Sequence, residues 1–385
     1  MSLNAIKIPL IYHGKGSLKE LKSFRQERVL VVTDKVINQL YGKKILKYLK
    51  KKEYRVFDNI EPNPKDKNII EGAEIAREFR PDLIVGIGGG SVMDSAKGIF
   101  FLYEREDKTL YDINPINFFK LGRKSKLILV PTTSGTGAEH TGAIIVTNTR
   151  TGQKTGLICF ELVPSAVIID PKLALGMPPL LTASTGIDAL VHAIESLINK
   201  LNNDFTEALN LHAIKLLFKY LPKVVEDGAN DIEIRQKVHN AASIAGISLA
   251  NSAAGLAHSC GHSLGSVFNT QHGMAVGVML PYIIEFNKPN CENKYLDILD
   301  VINIEPSIDP TTNLSNQIKK ILKMINLPTT IKELGISKDN FNKKSEKLIE
   351  FSFNDLATGL NPRIVSKEEI RKIFQYAFEG KNVDF

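Results

Sequence analysis

The chain has little cysteine and no long apolar run. Its 385 residues include three cysteines, Cys159, Cys260 and Cys291, and no two of them stand at a paired spacing. A disulfide framework is therefore not expected, and we predict a reducing compartment, the cytoplasm. No apolar run approaches the roughly 20 residues that a membrane-spanning helix needs, so we expect no membrane span. The first residues lack a basic start followed by an apolar core, and we expect no signal peptide.

Basic residues are in excess but are spread along the chain. The formal net charge is +7. Lysine clusters such as Lys43-Lys44 and Lys50 to Lys52 are not interleaved with aromatic residues on one element. We interpret them as solvated helix faces and expect no nucleic-acid partner. With 43% hydrophobic and 24% charged residues, the composition is typical of an ordinary soluble protein that is long enough for two domains.

The hydrophobic pattern changes once along the chain, near residue 178. Before this point, short β-branched runs alternate with helical patterns, which is typical of a parallel sheet covered by helices on both faces. After Pro178-Pro179, long amphipathic patterns follow one another and the strand patterns end. We therefore predict an α/β N-terminal domain over residues 1–178 and an all-α C-terminal domain over residues 179–385.

A glycine-rich turn follows one predicted strand, in DLIVGIGGGSVMDSAKGI. Gly86 and Gly88 to Gly90 allow the backbone to approach a ligand closely, and Ser91 opens a helix whose N-terminal N–H groups suit a phosphate. A dinucleotide pyrophosphate is the expected ligand. The G-x-G-x-x-G pattern is imperfect, because Ser91 stands where the third glycine belongs, and a purely structural tight turn stays open as an alternative.

Two further segments of the first domain are candidates for the same ligand. Asp34 ends the strand pattern RVLVVTD, where a carboxylate can accept hydrogen bonds from a ribose 2′-hydroxyl and repel a 2′-phosphate. This predicts NAD in preference to NADP, although a role as the cap of the following helix is an equal alternative. The segment PTTSGTGAEHT offers hydroxyl and backbone donors directly after another strand, at the edge where ligands of such sheets bind.

One aspartate and three histidines of the second domain are spaced like metal ligands, and a fourth histidine, His262, lies between them. Asp188 and His192 are four residues apart in a helical pattern, so both side chains lie on one face. His258 and His262 repeat this spacing, and His272 follows after a short break. A carboxylate with several imidazoles suits Fe(II) or Zn(II), and open coordination positions suit catalysis. A solitary helix histidine is usually structural, but the set as a whole predicts a metal site.

Taken in order, these motifs resemble those of the iron-containing (group III) alcohol dehydrogenases. The likeness runs from about Val31 to Asn287 and rests on GGGSVMDSAK, PTTSGTGAE, IIDPKLALGMPP, TGIDALVHAIES and GLAHSCGHSLG followed by QHG. It implies a Rossmann-like dinucleotide-binding domain, a helical domain as in the dehydroquinate synthase-like fold, and a metal in the cleft between them. The metal ligands that it implies are Asp188, His192, His258 and His272.

The resemblance also implies a cofactor site and a reaction. His262 is expected beside the nicotinamide. The other implied cofactor contacts are Asp34, Asn63, Gly89, Gly90, Ser91, Asp94, Thr132, Thr133, Ser134, Thr136 and Lys154. The expected reaction interconverts a small alcohol and its aldehyde or ketone by hydride transfer, with the metal as Lewis acid. We expect NAD, Fe(II) or alternatively Zn(II), and a homo-oligomer, commonly a dimer.

The role of His262 and the class of protein each have an alternative. As the candidate catalytic residue, His262 relays the alcohol proton; alternatively it only positions the nicotinamide. The chain could instead be an NAD- and metal-using lyase of the dehydroquinate-synthase kind, or a degenerate protein that binds NAD or metal without catalysis. Small apolar residues near the histidines, such as Ala253, Ala254 and Leu256, favour an uncharged alcohol over the anionic substrate of such a lyase.

Three positions depart from the family pattern without removing a proposed ligand. Gln271 precedes His272 where many members have proline, Val276 stands where asparagine is frequent, and His140 stands where valine is common. These departures leave the substrate subgroup open, because His140 and Val276 could line the cleft.

Overall fold

The structure is a computed structural model that describes residues 5–152, 154–226, 230–305 and 307–385. Residues 1–4, on which the expectation of no signal peptide partly rests, lie outside the described residues. The chain divides into two compact units, Met1–Leu175 and Gly176–Phe385. Each unit has its own architecture.

The first unit is built on a parallel sheet. Its strands are β1 Leu10–His13, β2 Arg28–Val32, β3 Glu53–Phe57, β4 Leu83–Gly88, β5 Lys126–Pro131, β6 Ala143–Thr147, β7 Lys154–Ile158 and β8 Ala166–Ile169. Six of them form one sheet in the order β1-β8-β5-β4-β2-β3, in which every neighbouring pair is parallel. The strands β6 and β7 form a separate antiparallel pair.

Helices cover both faces of this sheet. They are α1 Lys35–Leu49, α2 Asp66–Phe79 and α3 Gly90–Glu104. Alternate side chains of β2 point to opposite faces. Val29 and Val31 belong to the core that contains Ile45 of α1, whereas Leu30 and Val32 belong to the core that contains α2 and α3. Because both faces are buried at the central strands β2, β4, β5 and β8, these strands read as nearly continuous apolar runs in the sequence, whereas the edge strand β3 is largely exposed.

The direction of the chain across the sheet reverses between β2 and β4. The strand after β2 lies on one side of it, whereas β4 lies on its other side and is followed by β5. Ligands of open parallel sheets bind outside the carboxyl ends of the strands at such a reversal. Asp34 follows β2 and Gly89 follows β4, so both segments stand at this end of the two strands.

The second unit consists of packed helices. These are α4 Pro179–Ile198, α5 Asp204–Glu226, α6 Ile232–Ser252, α7 Leu256–Phe268, α8 His272–Phe286, α9 Lys288–Val301, α10 Pro310–Met324, α11 Lys338–Phe353 and α12 Lys367–Glu379. No strand occurs in the described residues of this unit. The predicted fold class, a parallel-sheet α/β domain followed by an all-α domain, is confirmed.

Helix α4 lies at the centre of the second unit. It packs against α5, α6 and α8, and residues from Ala183 to Ile198 contribute to one large core. A helix that is apolar nearly all round is a buried one. Among the described residues, no helix has both the length and the apolar character that a membrane crossing requires.

Candidate metal centre and cofactor loops

Three histidine rings converge on one carboxylate oxygen in the second unit. Oδ1 of Asp188 lies 3.4 Å from Nε2 of His272 and 3.5 Å from Nε2 of His258. Nε2 of His192 lies 3.8 Å from the same oxygen. Two ligand atoms that each bind one ion at about 2.0–2.2 Å are themselves roughly 3–4 Å apart, so these distances are of the size that a shared ion requires.

Three of the four converging side chains are buried, and two of the converging atoms lack a hydrogen bond among the described residues. Asp188, His192 and His258 are 2%, 4% and 3% exposed. Within the described part of the chain, Oδ1 of Asp188 and Nε2 of His258 make no hydrogen bond. Buried polar atoms without partners are costly, and a bound cation would satisfy both. The donor set therefore fits a metal ion.

The protonation states of His192 and Asp188 also suit a cation. Burial lowers the pKa of His192 to about 3, so its imidazole is neutral. Burial alone would raise the pKa of the Asp188 carboxyl, but the neighbouring His192 and His272 hold it well below its ordinary value. An ionised carboxylate and a neutral imidazole are the forms that bind a divalent ion. At His258, by contrast, contacts with the Asp188 and Glu195 carboxylates outweigh burial and raise the pKa to about 10, so an ion that bound there would release a proton.

Three helices supply the donors. Asp188 and His192 lie one turn apart on α4, His258 lies on α7, and His272 is the first residue of α8. Helices α7 and α8 approach closely at Gly261, where a Cβ atom would lie 2.5 Å from Cγ1 of Val276. A larger residue at position 261 would push apart the two helices that carry His258 and His272.

Glu195, which the sequence analysis did not select, orients His258. Its Oε2 lies 2.5 Å from Nδ1 of His258. The same carboxylate accepts the N–H groups of Gly255 at 3.0 Å and Ala257 at 2.5 Å. A proton on Nδ1 leaves the lone pair on Nε2, the nitrogen that faces Asp188, and such carboxylate pairing is typical of metal-binding histidines. Glu195 follows His192 by one helical turn, a spacing from which it could have been selected.

His262 lies beside the donor set and has its own carboxylate partner. Its ring stacks on that of His272 with the centroids 5.4 Å apart. Its Nδ1 lies 2.8 Å from Oδ2 of Asp355, and its side chain is 44% exposed. Asp355 lies in a distant part of the chain, just before a short helical turn, and no local pattern connects it with His262.

In the first unit, the glycine turn touches the threonine-rich segment. Gly89 caps α3, and a Cβ atom on Gly89 would lie 3.4 Å from Cγ2 of Thr133. A Cβ atom on Gly90 would lie 3.2 Å from Cγ2 of Thr136. The contact follows from the pairing of β4 with β5, which brings the ends of the two strands together. The first N–H groups of α3 and these hydroxyls therefore share one surface.

The hydroxyl-bearing residues of these loops differ in burial. Thr132 and Ser134 are buried, at 3% and 1% exposure. Thr133, Thr136 and Ser91 are half-buried and keep part of their surface accessible.

Two predicted cofactor residues have partners within the first unit. Asp34 caps α1, with Oδ1 accepting the N–H of Ile37 at 2.9 Å. Asp94 is 8% exposed, and its Oδ2 accepts the N–H of Ile145 at 3.0 Å. Nζ of the buried Lys97 lies 3.5 Å from the other oxygen of Asp94.

Asn63 and Lys154 form a pair. Asn63 adopts a left-handed backbone conformation with φ of 57°, and its Oδ1 accepts a hydrogen bond from Nζ of Lys154 at 2.7 Å. Two of the three positions where the sequence departs from the family pattern, His140 and Val276, are fully buried within their own units.

Comparison with known proteins identifies the family. Residues 9–171 match the family described as iron-containing alcohol dehydrogenase, and residues 182–378 match the Fe-containing alcohol dehydrogenase family, C-terminal. The chain is 37% identical over 382 residues to the NADPH-dependent butanol dehydrogenase of Clostridium saccharobutylicum, a match that covers 97% of this chain and 98% of that protein.

Two further proteins are similar over nearly the whole chain. The bifunctional aldehyde-alcohol dehydrogenase AdhE of Escherichia coli (strain K12) is 34% identical, over 97% of this chain and 46% of that protein, so the chain spans about half of its length. The crystal structure of sulfoacetaldehyde reductase from Bifidobacterium kashiwanohense in complex with NAD+ superimposes with a TM-score of 0.88 at 26% identity, covering 98% of this chain and 99% of that one. These matches do not favour the lyase hypothesis, and the chain belongs to the iron-containing alcohol dehydrogenase family.

Proposed function

We propose that this chain is a metal-dependent alcohol dehydrogenase that interconverts a small alcohol and its aldehyde or ketone with a nicotinamide cofactor. The observation that carries the proposal is the convergence of histidine nitrogens on the buried Asp188 oxygen, in a member of this family. When bound, Fe(II), or alternatively Zn(II), supplies Lewis-acid polarisation of the substrate oxygen. The residues proposed to hold the ion are Asp188, His192, His258 and His272.

The protein's own side chains keep the donors in place and move the proton. Glu195 holds His258 with Nε2 directed at Asp188. Asp355 engages Nδ1 of His262 and leaves Nε2 to accept the alcohol proton and pass it to solvent. The alternative for His262, positioning of the nicotinamide, predicts that His262→Ala raises the KM for the cofactor more than it lowers kcat.

We propose that the first unit binds the dinucleotide at the carboxyl ends of β2 and β4. The free N–H groups at the start of α3 suit the pyrophosphate, and the hydroxyls of Thr133 and Thr136 lie next to them. Because Asp94 is buried and bonded to Ile145, its proposed contribution is to support the first turn of α3. The remaining proposed contacts are Asp34, Asn63, Gly89, Gly90, Ser91, Thr132, Ser134 and Lys154.

NAD is the proposed preferred cofactor. The capping bond of Asp34 uses only Oδ1, so Oδ2 can accept a hydrogen bond from a ribose hydroxyl and would repel a 2′-phosphate. The relatives differ on this point, since the butanol dehydrogenase is named NADPH-dependent and the reductase was solved with NAD+. We also propose a cytoplasmic homodimer. Family membership supports the dimer, and the three free, buried cysteines support a reducing compartment.

Nicotinamide absorbance tests the proposal. Purified protein, reconstituted anaerobically with Fe(II) or Zn(II), is assayed against a panel of small alcohols and aldehydes with NAD(H) and NADP(H). We expect metal-dependent turnover of an uncharged substrate that is lost in His258→Ala. Bound metal and bound cofactor without turnover across the panel would support a degenerate protein instead.

A further inference from the structure

His272 is the most exposed of the four proposed metal ligands. Its side chain is 44% exposed, whereas that of Asp188 is 3% exposed. It is also the first residue of α8, so helix geometry fixes its backbone on one side only. Contacts outside its own helix therefore help to keep its imidazole 3.4 Å from the Asp188 oxygen, and its ring stacking on His262 is one of them.

Both sequence neighbours of His272 contact Ser184. Nε2 of Gln271 donates a hydrogen bond to Oγ of Ser184 at 2.8 Å. Gly273 packs so closely on the same residue that a Cβ atom would lie 1.8 Å from the Ser184 carbonyl oxygen. Ser184 lies on α4 one turn before Asp188, so the start of α8 touches the helix that carries the central carboxylate.

The Ser184 hydroxyl can accept the hydrogen bond from Gln271 while it donates one of its own. Its hydroxyl donates to the carbonyl oxygen of Leu181 at 3.2 Å, which leaves oxygen lone pairs free to accept from Gln271. Ser184 is 1% exposed, so water does not compete for the bond at this end. Gln271 has φ of −64°, a value that proline also adopts. The hydrogen bond to Ser184 therefore restrains the residue that directly precedes His272.

We propose that Ser184 and Gln271 are positioning residues of the metal site, whose mutual hydrogen bond holds the start of α8 on α4 and so keeps His272 within reach of the ion. The inference rests on the proposed function, because it takes His272 as a ligand. It assigns to Gln271 a role in metal retention that its side chain performs without touching the ion.

The test uses Co(II) as the probe, because its visible absorption reports the number and geometry of its ligands. The metal-free full chain is titrated with Co(II), and affinity is measured by competition with a chelator. Ser184→Ala and Gln271→Met each remove the hydrogen bond. Each should weaken Co(II) binding about three- to ten-fold, the effect of one hydrogen bond, and should change the visible spectrum. The double variant should be no weaker than the singles, because the same bond is lost only once.

Thr185→Val is the matched control. The Thr185 hydroxyl donates to the carbonyl oxygen of Leu181 at 2.8 Å, on the same turn of α4 as Ser184, whereas the Gln271 amide donates to Ser184. The Co(II) affinity and spectrum of Thr185→Val should match those of the unsubstituted chain, and the thermal midpoints of all the metal-free variants should agree.

Three results would overturn the positioning role: unchanged affinity and spectrum in both single variants, additive losses in the double variant, or lowered midpoints with an unchanged spectrum. If the unsubstituted chain itself bound no Co(II), the proposed function would fail as well. The two failures are therefore distinguishable.

Discussion

The two proposed binding regions are built in different ways. In the second unit, side chains from three helices converge, and carboxylates hold two of the histidines. In the first unit, the region at the ends of β2 and β4 consists mainly of backbone N–H groups and hydroxyls. A metal ion requires particular side-chain atoms, whereas the N–H groups at a helix start come from any residue type. Single substitutions should therefore affect the metal region far more than the cofactor region.

The largest effect is expected for Asp188→Ala, which removes the oxygen that faces three imidazoles. Loss of the ion removes several kcal/mol of substrate polarisation, so kcat/KM should fall by at least about 10³-fold. Cofactor binding, measured by nicotinamide fluorescence, should be unchanged. His212→Ala, at an exposed histidine of α5, is the control and should keep full activity. A kcat/KM of Asp188→Ala close to that of the unsubstituted protein would contradict the expectation that the metal region is the more sensitive of the two.

Glu195→Gln tests whether the carboxylate behind His258 contributes to the ion's affinity. The amide keeps the size of the side chain but loses the charge that pairs with Nδ1. Metal affinity, measured by chelator competition, should fall about 10- to 100-fold, the usual effect of removing such a partner. An unchanged affinity would show that α4 and α7 alone orient the imidazole.

Asp355→Asn separates proton transfer from metal binding. We expect kcat to fall about ten-fold, because His262 loses the partner that orients its ring for proton transfer. Metal content, measured by elemental analysis, should stay at the level of the unsubstituted protein. A raised KM for the cofactor with unchanged kcat would instead assign His262 to positioning the nicotinamide.

The smallest effect is expected in the cofactor region, for Asp34→Ser. Serine retains the cap of α1 while removing the negative charge. The ratio of kcat/KM for NADP to that for NAD should rise about five-fold, the effect of one solvent-exposed charge near a 2′-phosphate. Steady-state kinetics with both cofactors measures it. An unchanged ratio would mean that Asp34 acts only as a cap.

How much of each region could be predicted from the sequence depends on how far apart along the chain the interacting residues lie. Asp188 and His192 could be paired from their spacing, because helix geometry alone puts them on one face. The same spacing in His258 and His262 did not distinguish the ring that faces Asp188 from the ring that bonds to Asp355. That difference depends on a segment far away in the chain, and no local pattern contains it.

In the first unit, too, local patterns could be predicted and contacts between distant segments could not. The glycine turn was recognisable from a strand followed by a helix start, but its contact with Thr133 and Thr136 depends on which strands pair. For Asp34, local sequence left capping and cofactor binding as equal alternatives. The cap is present in the structure, and the ribose contact stays a prediction.

Metal removal and restoration test the central claim most directly. The protein is stripped with a chelator, and nicotinamide absorbance is followed with a small alcohol while Fe(II) is added back anaerobically. The account predicts that the rate disappears with the metal and returns in proportion to occupancy, up to one ion per chain. A full rate in the metal-free protein would contradict it.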